Sequence, residues 1–226
     1  MLSVIIPCYN EKENIEHIIK AVFRVLRENG FEGEVIVVDD ESPDGTAAIA
    51  QGMMDRLKDL RVVVRKGEKG LSSAIVRGFR EAKGDIIVVM DADLSHPPEL
   101  LPELVRPLLD GRCEMTIASR YVKGGGTEGW PLKRRMISKG ATLLARLITD
   151  VCDPMSGFFA IKRSVVDGVE LNPKGYKIAL EVLARGNYRK VIEVPFVFRD
   201  RKAGLSKLDN KVIREYVSHL SGLLLS

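Results

Sequence analysis

Two aspartates separated by one residue, Asp91-Ala92-Asp93, follow directly on the apolar run Ile86-Ile87-Val88-Val89-Met90. Carboxylates placed this way can face a hard divalent cation. Mg²⁺ and Mn²⁺ take oxygen ligands and often share them with substrate phosphates. The same tripeptide can also do no more than cap a helix, since Ser95-His96-Pro97-Pro98-Glu99 follows with a cap-and-proline start. A second acidic stretch, Asp39-Asp40-Glu41-Ser42-Pro43-Asp44-Gly45-Thr46, ends another apolar run. A carboxylate there can accept hydrogen bonds from a ribose or a base. The rest is turn chemistry, with Thr46 placed to cap the next helix, so a plain loop is the competing reading.

Other chemistries lack their residues. No GxGxxG follows the first apolar run and no GxxxxGK[ST] occurs, which disfavours a Rossmann dehydrogenase and a P-loop ATPase. There is no Gly-x-Ser-x-Gly elbow, and of the three histidines only His96 stands near the acidic motifs, where it belongs to the turn. The three cysteines, Cys8, Cys113 and Cys152, show neither zinc spacing nor CxxC, so reduced thiols are expected.

The elements that must position these residues are legible as alternation. Strand-like runs at 3–6, 34–39, 61–65, 85–90 and 114–118 are separated by helical patterns at about 12–29, 46–58, 71–83 and 97–110. Val4-Ile5-Ile6, Val35-Ile36-Val37-Val38 and Ile86-Ile87-Val88-Val89 are continuous apolar runs, as suits strands covered on both faces. The alternation predicts an α/β fold with a mostly parallel sheet flanked by helices, and ligands beyond the carboxyl ends of its strands. Further along, Gly124-Gly125-Gly126 reads as a loop, 132–149 as a helix, 158–161 and 191–198 as strands, and 176–186 as a short helix. Residues 199–206 read as a loop and 208–222 as a last helix.

At 226 residues one large domain is expected. The net charge of +4 conceals opposed halves. Residues 1–115 hold 15 Lys+Arg against 21 Asp+Glu, and residues 116–226 hold 20 against 10. An acidic half suits a divalent metal, and a basic half suits phosphates or anionic lipid. A nucleic-acid-binding module is disfavoured, because only 6% of residues are aromatic and the acidic half would repel a backbone. No apolar run approaches the roughly 18 residues of a membrane span. No basic leader precedes an apolar stretch. A soluble or peripheral protein is expected.

Taken together, the strand-end residues resemble a known pattern. Val-Ile-Ile-Pro-Cys-Tyr-Asn-Glu (4–11), Val-Val-Asp-Asp-Glu-Ser-Pro-Asp-Gly-Thr (37–46) and Met-Asp-Ala-Asp-Leu-Ser-His-Pro-Pro-Glu (90–99) look like family-2 glycosyltransferases of the GT-A fold. Ser119-Arg120-Tyr121, the stretch Gly129 to Ala141, Asp153-Pro154-Met155-Ser156-Gly157-Phe158-Phe159 and Asp200-Arg201-x-x-Gly204-x-Ser206-Lys207-Leu208 narrow the resemblance to dolichyl-phosphate mannose synthases. It covers residues 2 to about 215. Departures stand at Glu41, at Ser72 in Gly70-Leu71-Ser72, and at Ser95 beside the acidic pair.

By that resemblance Pro7, Tyr9, Glu11 and Asp39 line the base and ribose, and Lys69 adds a cation near the nucleotide. Asp91 faces the donor sugar or ribose, and with Asp93 it serves the Mg²⁺ or Mn²⁺ that bridges the pyrophosphate. Arg120, Arg134, Ser138 and Arg201 hold the acceptor phosphate, with Lys207 a further candidate. Arg120 and Arg134 thereby join the two aspartates as the residues nearest the reaction. Arginine suits the task because its fork binds phosphate oxygens in pairs. The implied activity is inverting transfer of mannose from GDP-mannose to dolichyl or another polyprenyl phosphate at the cytoplasmic membrane face. The alternatives are a UDP-glucose-dependent polyprenyl-phosphate glucosyltransferase and, in a different class, a non-catalytic nucleotide-sugar-binding protein. The division expected is a catalytic domain over 1–206, its nucleotide-sugar half ending at 115, and an amphipathic helix over 207–226. That helix, with Leu208, Val212, Ile213, Tyr216, Val217, Leu220 and Leu224 at helical spacing, can meet a membrane surface or the protein's own core. A small membrane partner subunit is a further implication of the resemblance.

Overall fold

The structure is a computed structural model of the 226-residue chain, and it describes residues 1–172, 176–199, 216 and 220–223. The apolar runs became a seven-stranded sheet in the order β3-β2-β1-β4-β7-β5-β8. Its members are β1 (Leu2–Cys8), β2 (Gly33–Asp39), β3 (Leu60–Val64), β4 (Ile86–Val89), β5 (Met115–Ser119), β7 (Phe159–Lys162) and β8 (Val191–Pro195). All pairings are parallel except those of β7, which runs antiparallel between β4 and β5.

The helices are α1 (Ile15–Glu28), α2 (Thr46–Gly52), α3 (Leu71–Glu81), α4 (Leu101–Leu109), α5 (Leu132–Ala145) and α6 (Ile178–Arg185). Alternate residues of each central strand enter opposite layers. Val4, Ile6, Val35 and Val37 pack with Ile18, Ile19 and Val22 of α1 and Leu104 of α4. Ile5, Ile36 and Val38 pack with Ala74, Ile75 and Phe79 of α3 and Val182 of α6. Full burial of such side chains stabilises by about 1.5–3 kcal/mol each. Close approach of α3 to β1 demands Gly78, since a Cβ there would stand 2.5 Å from Ile5 Cγ2.

Two features of this topology aim residues at one edge. Strand order reverses between β1 and β4, so the loops after Cys8 and after Val89 border the crevice where such sheets bind ligands. Because β7 is antiparallel, its leading segment, Asp153 to Phe158, arrives at that same edge.

Several expectations needed correction. The glycine-rich stretch leads into a short strand, β6 (Gly126–Glu128), paired parallel with β9 (Val197–Arg199). The single strand expected over 191–198 is therefore two strands in two sheets, broken at Phe196, whose amide donates to Ser119 O at 3.0 Å. The helix expected to 58 stops at Gly52. Thr46 is its first residue rather than its cap, and its own amide is accepted by Asp44 Oδ1 at 3.0 Å. The pattern at 97–110 begins as a 3₁₀ turn, Pro98–Leu100, before α4. Of the expected C-terminal helix, Tyr216 and Leu220–Leu223 are described and helical, and the remaining positions lie outside the described residues. Tyr216 and Leu220 are buried against Ala145, Met155 and Leu180, and the Tyr216 hydroxyl donates to Ala141 O at 2.6 Å. At these two positions the apolar face meets the protein's own core. Among the described residues no helix is long and apolar enough to cross a membrane.

Candidate active site

The loops after β1 and β2 are built together. Asn10 N–H donates to Ser42 Oγ at 3.0 Å, Glu11 N–H to Thr46 Oγ1 at 2.9 Å and Lys12 N–H to Asp44 Oδ2 at 3.1 Å. Asp39 is fully buried, and its oxygens accept from Ser42 N–H at 2.8 Å, Ser42 Oγ at 2.6 Å and Cys8 Sγ at 3.4 Å. Its carboxylate thus shapes the loop that surrounds it. Burial and the neighbouring Asp39 hold the Cys8 pKa well above the ordinary range, which keeps the thiol protonated. Pro7 is buried within β1, whereas Tyr9 and Asn10 are exposed at its end.

Asp40 anchors the opposite wall. It is buried and accepts from Arg65 Nε at 2.7 Å and from Gly70 N–H at 2.7 Å, while Arg65 also donates to Gly70 O at 3.1 Å. That clamp fixes the loop bearing Lys69, whose Nζ lies 3.4 Å from the Tyr9 hydroxyl and 5.0 Å from the Tyr9 ring centroid. Tyr9 and Lys69, 60 residues apart in sequence, therefore share one exposed corner. Glu11 stands beside them and accepts from Asn14 Nδ2 at 2.9 Å.

Across the crevice, Asp91 and Asp93 follow β4. Asp93 Oδ1 accepts Ser95 N–H at 3.0 Å, and Leu94 takes a left-handed φ of 62° to close the turn. His96 belongs to this turn. Its Nδ1 accepts the Asp91 amide at 3.0 Å, and the ring stacks on Phe158 at 5.0 Å. Gly157 closes the turn from the β7 side, and a Cβ there would meet His96 Cε1 at 3.2 Å and Asp91 Oδ2 at 3.5 Å.

The donor set fits a divalent cation of one kind. Two carboxylates stand at one strand end, and among the described residues no group of three acidic, histidine or cysteine side chains could hold a metal alone. Two protein carboxylates completed by substrate phosphates is the usual pattern for Mg²⁺.

The basic half supplies a second cluster. Asp153 is fully buried and accepts from Arg120 Nε and Nη2, both at 2.7 Å, and from Arg120 N–H at 2.9 Å. Burial works against the Arg120 charge, but Asp153 outweighs it and raises the pKa. Asp153 is held in turn by Glu193, whose two oxygens accept the Cys152 and Asp153 amides at 2.9 and 3.1 Å. The Arg120 and Arg134 guanidinium carbons lie 5.2 and 4.0 Å from the ring centroid of the chain's single tryptophan, Trp130. Trp130 is fixed by Phe198 of β9 at 5.4 Å, which is what the small second sheet contributes. Ser138, one turn after Arg134, accepts the Tyr121 hydroxyl at 2.7 Å and keeps its own proton to donate. Arg201 and Lys207 lie outside the described residues.

Lys177 was missed in the sequence. It stands at the N-cap of α6, half-buried. Its removal from water and the nearby Arg120 push its pKa down to about 8, against weaker opposing pulls from Asp153 and Asp91. It therefore lies within electrostatic reach of Asp91, Asp153 and Arg120. One signal was present: a lysine occupies a cap position that favours Ser, Thr, Asp or Asn, next to the positive end of a helix.

Similarity to known proteins gives the family. Residues 3–169 match Glycosyl transferase family 2. A dolichol-phosphate mannosyltransferase of Pyrococcus furiosus is 50% identical over 99% of this chain, which spans 63% of that relative's length. One from Saccharomyces cerevisiae is 42% identical over 98% of this chain and 86% of its own. Among solved structures, the glucosyl-3-phosphoglycerate synthase of Mycobacterium tuberculosis superposes with a TM-score of 0.69 at 24% identity, over 100% of this chain and 79% of that one. Its complex with Mn²⁺, UDP-glucose and phosphoglyceric acid gives a TM-score of 0.72. At that identity the likeness establishes the shared fold. The chain belongs to glycosyl transferase family 2, on the dolichol-phosphate mannosyltransferase branch.

Proposed function

We propose that the chain catalyses metal-dependent, inverting transfer of mannose from GDP-mannose to the phosphate of dolichol or another polyprenol. What supports this reading most is the cluster of Arg120, paired with Asp153, and Arg134 around Trp130, with Asp91 and Arg120 both acting on Lys177. Tyr9, Glu11 and Lys69 border the crevice proposed for the nucleotide, with Pro7 and Asp39 buried behind them. Asp91 and Asp93 would hold the cation, either Mg²⁺ or Mn²⁺. Bound there, it would offset the charge gained by the leaving diphosphate.

The acceptor needs cations and no strong base. The second pKa of a phosphate monoester is about 6, so at pH 7 it is largely dianionic. One of its oxygens can bond to the anomeric carbon from the face opposite the leaving group. The carbon–oxygen bond to GDP breaks, GDP departs with the electron pair, and the sugar carbon inverts. Arg120 is pre-positioned for the phosphate, because Nε and Nη2 are committed to Asp153 and the Nη1 hydrogens point elsewhere. Stacking on Trp130 fixes the plane in which the Arg134 N–H groups lie. Ser138 can add a neutral donor.

A membrane surface is the proposed site of action, at its cytoplasmic face. The support is α5 and the turn after it, where Leu132, Met136, Leu143, Leu144 and Leu147 are 74, 66, 68, 49 and 69% exposed. Such a stripe beside basic residues suits the headgroup region.

The test is transfer of labelled sugar from GDP-mannose, with UDP-glucose in parallel, to dolichyl phosphate in Mn²⁺, Mg²⁺ or EDTA. Expected is metal-dependent transfer from GDP-mannose, lost in Asp93→Ala and Arg134→Ala. Transfer from UDP-glucose alone would overturn the mannose assignment. Nucleotide binding with no transfer from either donor would favour a binding protein.

A further inference from the structure

Helix α5 presents two adjacent faces. Arg134 and Ser138 lie on the one that meets Trp130 and Tyr121. Arg135, Lys139, Thr142 and Arg146 follow at spacings of four, three and four, so they stack along a second face. With Arg120, Cys152 and the segment between β5 and β6 they line a cavity of about 610 Å³, a size common for small-ligand sites.

The lining holds four cations and no carboxylate. Asp153 neutralises Arg120. Among the described residues, the hydrogen bonds of Arg135 and Arg146 go to neutral groups. Arg135 Nη2 donates to Thr127 O at 2.9 Å, and Arg146 Nη2 approaches Cys152 Sγ at 3.7 Å. These contacts orient the side chains without compensating their charge. Glu193 stands behind Cys152, but its oxygens are taken by backbone amides.

A second observation is independent of charge. Thr142 is 7% exposed, and its Oγ1 is buried with no hydrogen-bond partner. A helical threonine ordinarily returns its hydroxyl to the carbonyl four residues back. A buried hydroxyl left unmatched is uncommon in a folded protein, and here it belongs to a residue lining the cavity.

The geometry points to a second phosphoryl-binding pocket on this face of α5, in which Arg135, Lys139 and Arg146 supply the charge and Thr142 supplies a neutral hydroxyl. The ligand is a phosphate monoester or diester. It is either the headgroup of an anionic lipid, whose chains would run along exposed Leu143 and Leu147, or a soluble phosphate compound. The pocket shares only Arg120 with the acceptor cluster, and it requires neither donor nor metal.

The test uses the full chain in EDTA without nucleotide. Binding of inorganic phosphate at constant ionic strength is measured by titration. Partition onto phosphatidylcholine vesicles with and without phosphatidic acid is measured by flotation. The variants are Lys139→Gln/Arg146→Gln, Thr142→Val, Arg134→Ala on the neighbouring face and, as a control outside both sites, Lys133→Gln. All of the changed charged groups are exposed or half-exposed, and valine is isosteric with threonine, so folding is retained. Expected is a roughly tenfold weakening in the double variant and several-fold weakening in Thr142→Val, as befits loss of charge-assisted hydrogen bonds, with Lys133→Gln unchanged. An effect on inorganic phosphate supports a soluble ligand, and an effect confined to phosphatidic acid vesicles supports a headgroup. The proposal is overturned if neither probe binds. It is also overturned if Thr142→Val binds like the parent while the double variant does not, which would mean diffuse attraction. Loss in Arg134→Ala alone would place the anion in the acceptor cluster and overturn it too. Failure of sugar transfer would leave this result untouched.

Discussion

Substitution of Asp153 by asparagine should be among the most disruptive single-atom changes available to the chain. The carboxylate is fully buried, forms a two-pronged pair with Arg120 at 2.7 Å and also accepts the Arg120 amide at 2.9 Å. Asparagine retains one oxygen for that amide but turns an NH₂ toward a guanidinium that is itself only 10% exposed. Leaving one partner of a buried pair uncompensated costs about 3–5 kcal/mol. For a domain of this size, 1 kcal/mol moves Tm by roughly 2–4 °C, so a fall of about 6–20 °C is expected. The assay is thermal and urea unfolding of Asp153→Asn, Arg120→Gln and the double variant. Removing both charges should recover much of the loss, with a coupling energy of at least about 2 kcal/mol. Transfer activity should remain lost in the double variant, because the Arg120 guanidinium proposed to hold the acceptor phosphate is gone. A cost under about 1 kcal/mol for Asp153→Asn, or strictly additive effects, would refute the view that Asp153 exists to bury and aim the Arg120 charge.

Two further outcomes follow from other parts of the site. Lys177→Met should stabilise the unliganded chain in EDTA while impairing transfer. The Lys177 pKa is lowered from 10.5 to about 8, so between those values the unfolded chain binds more protons and stability rises with pH. Below pH 8 the full cost of holding the charge is present, up to about 3 kcal/mol at 1.36 kcal/mol per unit. Urea unfolding at pH 7 and pH 10 should show that gain at pH 7, and a flattened pH dependence, in the variant. An unchanged profile would mean that Lys177 is solvated. Gly157→Ala should lower kcat/KM about tenfold or more with little change in Tm, because its Cβ presses on His96, at 3.2 Å from Cε1, and so shifts the turn that carries Asp91. Steady-state kinetics beside calorimetry would separate that outcome from general destabilisation.

Local patterns carried the framework. Continuous apolar runs such as Val35-Ile36-Val37-Val38 have no use except between two covering layers, and the parallel sheet followed from them. Strand ends and βα loops are local too, so the acidic pair at 91–93 and the Tyr9–Glu11 segment could be assigned to one sheet edge. Motif resemblance singled out Arg120, Arg134 and Ser138 without explaining what holds them.

Pairing across long separations was not legible. Strand β6 is three residues long and carries no β pattern of its own, and it exists because β9, some 70 residues later, offers its edge. The antiparallel insertion of β7 between β4 and β5 is likewise a choice among sheet orders that no short stretch encodes. That choice brings Asp153 and Gly157 to the acidic turn. Lys177 acquires its depressed pKa only when folding removes it from water beside Arg120. The sequence by itself determined which residues are strands, which strand ends carry carboxylates and which half carries the cations, because these depend on neighbours a few residues away. Only the tertiary structure decided which carboxylate neutralises which arginine, where a threonine hydroxyl is left unmatched and which lysine is forced into the site, because burial and electrostatic fields arise only from distant segments packed together.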